Sequence, residues 1–227
     1  MGEDDGHPGN ADRDTRRNSR EDEIAGGNIM RRHIAIKPGI RLIPPRAEQT
    51  RRLFMKQVLQ RMAEYNGKSA DALLAIIEKA PADLRTKDVG LFYKSIDGTV
   101  EHMAWAFALW LKRFSGFGSY PCLAAGGMLS RPLEEIGAEI KSDSVKATAL
   151  LREANALIEQ FVNELPVVEF ERRVSYRGND GKVLERTMWH AIFHVLNHGT
   201  HHRGEISAVL DQNGIANDCS GFSLYIH

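Results

Sequence analysis

Trp189-His-Ala-Ile-Phe-His-Val-Leu-Asn-His-Gly-Thr-His-His-Arg-Gly-Glu-Ile206 is a segment that contains five of the chain's nine histidines. At about 100° per residue, His198 and His202 fall on the border of an apolar helical face, and the other three fall clear of it. Two histidines four residues apart on a helix form a standard clamp for a divalent cation. A solvated pair without a ligand is the alternative. The apolar face comprises Met188, Ile192, Val195, Ile206, Val209 and Leu210.

The chain as a whole has the size and charge of one globular domain. Its 227 residues suffice for a single core, and its net charge of zero argues against nucleic-acid or membrane-surface partners. Cys122 and Cys219 match no zinc spacing and predict no disulfide framework, which favours a reducing, cytoplasmic location. The most apolar run, residues 103–111, is too short to span a bilayer.

Residues 1–45 are predicted to be a disordered or extended tail. They are rich in Asp, Arg, Gly and Asn, and have almost no apolar residue before Ile24. An organellar presequence is a minor alternative, because acidic residues are as frequent as arginines and presequences avoid them. Pro44-Pro45 then marks the start of a folded domain over residues 46–227.

Helical periodicity predicts four substantial helices in that domain. The first covers residues 47–79, with an interruption at Asn66-Gly67. The second covers residues 91–114 and is apolar nearly all round in its second half, as expected of a buried helix. After a loop over residues 115–129, the third covers residues 130–165 with Ser130 as its cap, and the histidine-rich helix ends at Gly214.

A small β-hairpin is predicted before the last helix. Residues 168–176 alternate at strand period, Asn179-Asp-Gly181 predicts a turn, and residues 182–186 return the chain. The segment after residue 214 is short and predicted to pack at the terminus. The fold class is therefore all-α: a four-helix bundle with one hairpin.

His102 supplies a third imidazole to this prediction. It is the one ionisable residue between Glu101 and Lys112, in the buried helix, where an unpaired polar group costs about 1–3 kcal/mol. Three neutral imidazoles, His102, His198 and His202, leave a divalent ion its charge and an open coordination position. Nitrogen ligands suit zinc, nickel, copper or iron. Gly199 stands where a metalloprotease has its glutamate, so that chemistry is not predicted.

Several neighbours are candidates for orienting the imidazoles or binding substrate. Glutamates can accept a hydrogen bond from a ligating ring, and basic side chains can bind an anionic group. For each of them a solvated or purely structural role is the alternative. The candidates are Tyr65, Asn66, Glu101, His201, Arg203 and Glu205.

Three segments, in order, resemble the signatures of the DinB-like metalloprotein superfamily. Tyr65-Asn66 resembles a pair near the end of its first helix. Phe92-Tyr-Lys-Ser-Ile-Asp-Gly-Thr-Val-Glu-His-Met103, followed by residues 109–114, resembles its second-helix signature. Residues 194–206 resemble its last-helix signature. Together the matches span about residues 50–227.

This resemblance implies an up-down-down-up bundle, frequent homodimers and a metal on His102, His198 and His202. Some bacterial members are called damage-inducible, and many have no known reaction. Characterised relatives are transferases and isomerases that use bacillithiol, mycothiol or glutathione. Two positions depart from the pattern: Phe107 replaces a frequent acidic residue and Glu205 replaces the usual glutamine.

Three functional hypotheses follow. The first is a metal-dependent enzyme that transfers a low-molecular-weight thiol to an electrophile. The second keeps the metal and uses water as the nucleophile, which makes the protein a hydrolase. The third is a non-catalytic, metal-stabilised stress or assembly bundle. DNA binding is the least favoured, because the charge is balanced.

Overall fold

The computed structural model describes residues 46–124, 127–178, 180–219 and 221–226. The predicted tail over residues 1–45 lies outside them. The described helices are α1 Arg46–Ile77, α2 Ala82–Thr86, α3 Ile96–Phe117, α4 Pro121–Ala124, α5 Leu133–Ile140, α6 Ser144–Glu164, α7 Met188–Gln212 and α8 Phe222–Tyr225. Two 3-10 helices, Gly127–Ser130 and Val167–Glu171, and two strands, β1 Arg173–Arg177 and β2 Val183–Thr187, complete the set.

Helices α1, α3, α6 and α7 form the predicted bundle, in which α1 and α3 each pack against both α6 and α7. Lys56 near the start of α1 donates to the Leu165 carbonyl, 2.8 Å away, beside the end of α6. Asn66, further along α1, meets Asn155 in the middle of α6. The two helices therefore run antiparallel.

Contacts of α3 fix the remaining directions. Phe114 near the end of α3 stacks on Phe161 near the end of α6, so these helices are parallel. Trp110 contacts His194, whereas His102, earlier in α3, contacts His198, later in α7. Because α3 and α7 are thus antiparallel, the order is up-down-down-up. The long connection through α4 and α5 joins the two parallel helices.

The central position predicted for the second long helix is confirmed. Ser95 caps α3, and its Oγ accepts a hydrogen bond of 3.0 Å from the Gly98 amide. Half of the helix's residues are buried, among them Met103, Phe107 and Leu111. His102, in the first half of this helix, is half-buried.

Three predicted helix boundaries are wrong. Helix α1 continues through Asn66-Gly67, because the buried Asn66 side chain is hydrogen-bonded to neighbouring helices rather than to a turn. The predicted helix over residues 130–165 is two helices separated at Ser142, whose φ is 59°. Asp143 caps the second of them, and Ser130 lies in a 3-10 helix instead of capping the first.

Two further segments differ from prediction in detail. Residues 91–95, predicted as helix, form a turn with a bridge between Leu91 and Lys94, and Lys94 has a φ of 70°. The predicted loop over residues 115–129 contains α4 and the start of a 3-10 helix. Both are local conformations that helical periodicity does not encode.

The β-hairpin before α7 is confirmed, and it is shorter than predicted because residues 167–171 form a 3-10 helix. Its strands pair antiparallel, with Arg173 opposite Thr187 and Arg177 opposite Val183. Of the predicted turn, Asn179 lies outside the described residues, and Gly181 has a φ of 78°. Within the described ranges, no helix is both long and apolar enough to cross a membrane.

Candidate metal centre

Three imidazoles from two helices converge at one point of the α3–α7 interface. The Nε2 atom of His198 lies 3.1 Å from Nε2 of His102 and 3.1 Å from Nε2 of His202. One nitrogen from each ring lies within 4.8 Å of the other two. His202 is buried, and the other two rings are half-buried. The structure thus brings together the three histidines that the sequence selected.

Two of these rings, His102 and His198, are held in their neutral form. Burial, reinforced by repulsion from His202, lowers the pKa of His102 to about 3. Burial also lowers the pKa of His198 to about 3, and His202, His102, His194 and His201 add to the effect. Neutral imidazole is the form that offers a lone pair to a metal ion.

Glu205 fixes the tautomer of His202. Its Oε2 lies 2.7 Å from Nδ1 of His202, and its Oε1 lies 3.3 Å from Nε2 of His201. A carboxylate accepts and does not donate, so Nδ1 of His202 carries a proton; in the neutral ring the lone pair is then on Nε2, which faces His198. This is the arrangement in which a carboxylate orients a ligating histidine.

Protons alone do not satisfy the contacts around His198. Nε2 of His198 carries either one hydrogen or one lone pair, so it makes one linear hydrogen bond. The other 3.1 Å contact, to either His102 or His202, is then not a linear hydrogen bond. Two zinc-bound nitrogens in tetrahedral geometry lie about 3.3 Å apart, close to the observed separations. The cluster therefore fits a divalent cation.

Tyr93 forms one wall of the cluster, a role that the sequence did not predict. Its ring stacks on His102, with centroids 3.8 Å apart and planes 13° from parallel, and it meets His202 edge-on. Tyr93 lies in the turn before α3, next to Lys94, whose backbone has a left-handed conformation with a φ of 70°. A position in an irregular turn carries no periodic signal, although Tyr93 falls inside the Phe92–Met103 segment that resembles the family signature.

Asn66 and Arg203 lie in the bundle interior beside the histidine clamp. Arg203 Nη1 donates to Asn66 Oδ1 at 2.5 Å, and Nη2 donates to Thr200 Oγ1 at 3.1 Å. Asn66 Nδ2 in turn donates to Asn155 Oδ1 at 2.6 Å. We call these three residues, Asn66, Asn155 and Arg203, the interior polar lock. It joins α1, α6 and α7.

The lock encloses the guanidinium of Arg203, which forms no ion pair with a carboxylate of any described residue. Burial lowers the pKa of Arg203 from its usual value, and the Tyr65 ring lies 5.2 Å from its Cζ. Tyr65 donates its hydroxyl to the Cys219 carbonyl at 3.0 Å, which ties α1 to the C-terminal segment. Arg203 Nε makes no hydrogen bond to any residue that the structure describes. Tyr65 and Arg203 therefore have structural roles beside the histidine pair of α7, His198 and His202.

Gly199, between the two clamp histidines, is where α7 comes closest to the lock. A Cβ at this position would lie 2.5 Å from Asn66 Oδ1 and 3.0 Å from both Arg203 Nη1 and Phe107 Cζ. Phe107, one of the two departures from the family pattern, is buried in the core. The residue that excluded a metalloprotease motif thus has a packing reason to be glycine.

Glu101 and His201 lie at the edges of the cluster. Glu101 Oε1 accepts a hydrogen bond of 2.8 Å from the Ser142 amide, so it holds the turn between α5 and α6 beside His102. Burial raises the pKa of the Glu101 carboxyl. His201 is exposed and contacts Glu205.

Fold and site together define a class: an up-down-down-up helical bundle with a three-histidine cluster between its second and last long helices. A family model described as "DinB family" matches residues 55–224. The chain therefore belongs to the DinB family. It is also 25% identical over 167 residues to Protein DinB of Bacillus subtilis (strain 168), covering 73% of this chain and 92% of that protein. No solved structure matches the chain.

Proposed function

We propose that this DinB family member binds one divalent cation through His102, His198 and His202 and transfers a low-molecular-weight thiol to an electrophile there. The observation that supports the cation is the double contact of His198 Nε2, which protons do not satisfy. The resemblance to thiol-using members of the superfamily supports the choice of thiol. Zinc, nickel and iron each suit three imidazole ligands.

The protein's own residues would hold and orient the cation. His198 and His202 present adjacent nitrogens from one helix, His102 approaches from the other, and Glu205 fixes the tautomer of His202. Tyr93 covers one face of His102 and restricts its rotation. A bound divalent cation supplies Lewis acidity, which stabilises a thiolate or lowers the pKa of water.

The proposed transfer balances without an oxidant or reductant. The sulfur of the small thiol forms a bond to an electrophilic carbon, the bond between that carbon and its leaving group breaks, and the thiol proton leaves with that group. His102 and His198 are half-buried, which leaves the edge of the cluster accessible from solvent.

The chain's own cysteines are poor alternatives as nucleophiles. Both are buried and free. Burial, with the neighbouring Glu164 carboxylate, raises the pKa of Cys122 to about 11, and burial raises that of Cys219. Because the thiolate is the reactive form, neither residue supplies one near neutral pH. The proposal therefore takes the nucleophile from outside the protein.

The experiment is to incubate metal-loaded protein with a panel of electrophiles, with and without bacillithiol, mycothiol or glutathione. Thiol-dependent consumption that is lost after chelation supports the transferase. Consumption independent of thiol supports a hydrolase. A bundle that melts at lower temperature after chelation and consumes no electrophile supports the non-catalytic alternative. A control with His190→Ala, an exposed histidine on the same helix, should behave as wild type.

We also propose the assembly and location that go with this function. The family resemblance supports a homodimer, and two free buried thiols are in keeping with the cytoplasm. Residues 46–227 are proposed to act as one domain. Sedimentation at several protein concentrations tests the dimer.

A further inference from the structure

A second group of metal-ligating side chains lies on α7, beside the three-histidine cluster. It consists of His201, His202 and Glu205, and one ligand atom of each lies within 4.8 Å of the other two. His202 belongs to both groups, since its Nε2 faces His198 and its Nδ1 lies 2.7 Å from Glu205 Oε2. The three-histidine cluster therefore leaves His201 and the second carboxylate oxygen, Glu205 Oε1, to the second group.

The remaining nitrogen and oxygen are spaced like two ligands of one cation. His201 Nε2 lies 3.3 Å from Glu205 Oε1. Bonds of about 2.0–2.1 Å to a tetrahedral zinc ion place an imidazole nitrogen and a carboxylate oxygen ~3.3 Å apart. His201 makes no hydrogen bond to any residue that the structure describes. No hydrogen bond within that part of the chain therefore competes with a cation for its ring nitrogens.

Helical spacing and exposure make this pair accessible. His201 and Glu205 are four residues apart on α7, so their side chains lie on one face of the helix. The clamp histidines His198 and His202 have the same spacing. The side chain of His201 is 63% exposed and that of Glu205 is 26% exposed. A hydrated cation can therefore reach the pair and keep water as its other ligands.

The two ligand types select a class of cation. An imidazole nitrogen suits zinc, nickel, copper or iron, whereas magnesium and calcium prefer oxygen ligands alone. A neutral imidazole and one carboxylate carry a net charge of −1, which attracts a divalent ion. Two protein ligands hold such an ion less tightly than the three that converge at His102, His198 and His202.

We propose that His201 and Glu205 bind a second, weaker divalent transition-metal ion on the exposed side of α7. Glu205 then serves both sites, because Oε1 binds the second ion while Oε2 accepts the hydrogen bond from His202 Nδ1. The second ion draws electron density from the carboxylate, which weakens this hydrogen bond and the orientation of His202. Excess metal therefore lowers the affinity of the three-histidine cluster for its own ion.

The coupling between the two ions is reciprocal, so the first ion also weakens the binding of the second. This coupling rests on the proposed function, in which His102, His198 and His202 share a cation. The second site itself does not, since its ligands are His201 and Glu205.

Calorimetric titration of the full-length protein with zinc chloride tests the second site. The wild type should show a tight phase and a separate weak phase. His201→Ala should lose the weak phase and keep the tight one, and His190→Ala, an exposed histidine on the same helix, should keep both. Glu205→Gln should also lose the weak phase, because an amide oxygen is a poorer ligand than a carboxylate. Gel filtration should remove the weakly bound ion.

The double variant His102→Ala/His198→Ala distinguishes this proposal from the proposed function. It removes two ligands of the three-histidine cluster and should keep the weak phase, which addition of His201→Ala should abolish. Thermal melts show whether each variant is folded. A wild type that has only a weak phase, lost in His201→Ala, would contradict the three-histidine cation and support the second site.

NMR of the histidine ring nitrogens measures the coupling. The Nδ1–H resonance of His202 should shift when zinc fills the weak phase of the wild type, and it should stay in place in His201→Ala. An unchanged resonance in the wild type would overturn the coupling. A weak phase that persists in both His201→Ala and Glu205→Gln would overturn the second site, because the ions would then bind to unrelated surface groups. Absence of a weak phase in the wild type would overturn it as well.

Discussion

Asn66 on α1 and Arg203 on α7 are joined by a 2.5 Å hydrogen bond one residue beyond the clamp histidine His202. The bond fixes the position of α7 relative to α1, and Asn155 extends it to α6. A helix that carries two of three clustered imidazoles must keep its register against its neighbours. The interior polar lock therefore connects the stability of the fold to the geometry of the site.

Removing Asn66 should destabilise the protein strongly. Asn66→Ala leaves a buried guanidinium without its shortest hydrogen bond, and we expect a loss of about 3 kcal/mol in the free energy of unfolding. The double variant Asn66→Leu/Arg203→Met removes donor and acceptor together and should lose less than the sum of the single variants Asn66→Leu and Arg203→Met. Urea unfolding measures both. Strict additivity would show that the two residues do not act as a pair.

Two glycines of α7 should respond in opposite directions to alanine. In Gly199→Ala the new methyl would meet Asn66, Arg203 and Phe107 at 2.5–3.0 Å, so stability and metal affinity should fall. At Gly204 a Cβ meets nothing within 4 Å, and Gly204→Ala should stabilise the helix by up to about 1 kcal/mol. Thermal melts and metal titrations of both variants check this. Equal effects would contradict the close approach at Gly199.

Glu205 should contribute to metal affinity through His202. Glu205→Ala removes the acceptor 2.7 Å from His202 Nδ1, and the loss of such a partner typically weakens metal binding ~10–100-fold. Glu205→Gln retains an oxygen acceptor and should lose less. His201→Ala removes the other partner of Glu205 and is the control. Competition with a chelator of known affinity gives the ratios, and an unchanged affinity in Glu205→Ala would refute this role.

Cysteine alkylation should depend steeply on pH. Because the pKa of Cys122 is raised to about 11, its thiol stays protonated through neutral pH and gains reactivity as the pH rises toward 11. The Cys219→Ser variant isolates this residue. Iodoacetamide labelling between pH 7 and 10, followed by mass spectrometry, should give a rate that rises about tenfold per pH unit. A plateau near pH 8.5 would contradict the raised pKa.

The sequence predicted the bundle from helical periodicity, and it predicted that three histidines lie close together. His198 and His202 follow from angles on one helix, and His102 from being the lone ionisable group in an apolar helix. The predicted break at Asn66-Gly67 was wrong because a tertiary hydrogen bond outweighed the local turn preference. The position of Tyr93 and the helix break at Ser142 each depend on one residue with a positive φ, Lys94 and Ser142 respectively. A single residue of this kind leaves no periodic pattern in the sequence.

The position of Arg203 was beyond sequence reasoning for a different reason. An arginine beside two helix histidines is typically exposed, and its burial here depends on partners that come from other helices. Gly199, by contrast, was visible as an exception to the metalloprotease pattern. Its packing against Asn66 gives that exception a structural meaning.

The central claim is that one cation is shared by His102, His198 and His202. Elemental analysis of untagged protein and of the variants His102→Ala, His198→Ala and His202→Ala tests it most directly, with His190→Ala as the control. We expect about one divalent metal per chain in the wild type and the control, and at least a tenfold weaker retention in each of the three variants. Full metal content in any folded variant of the three would contradict the claim.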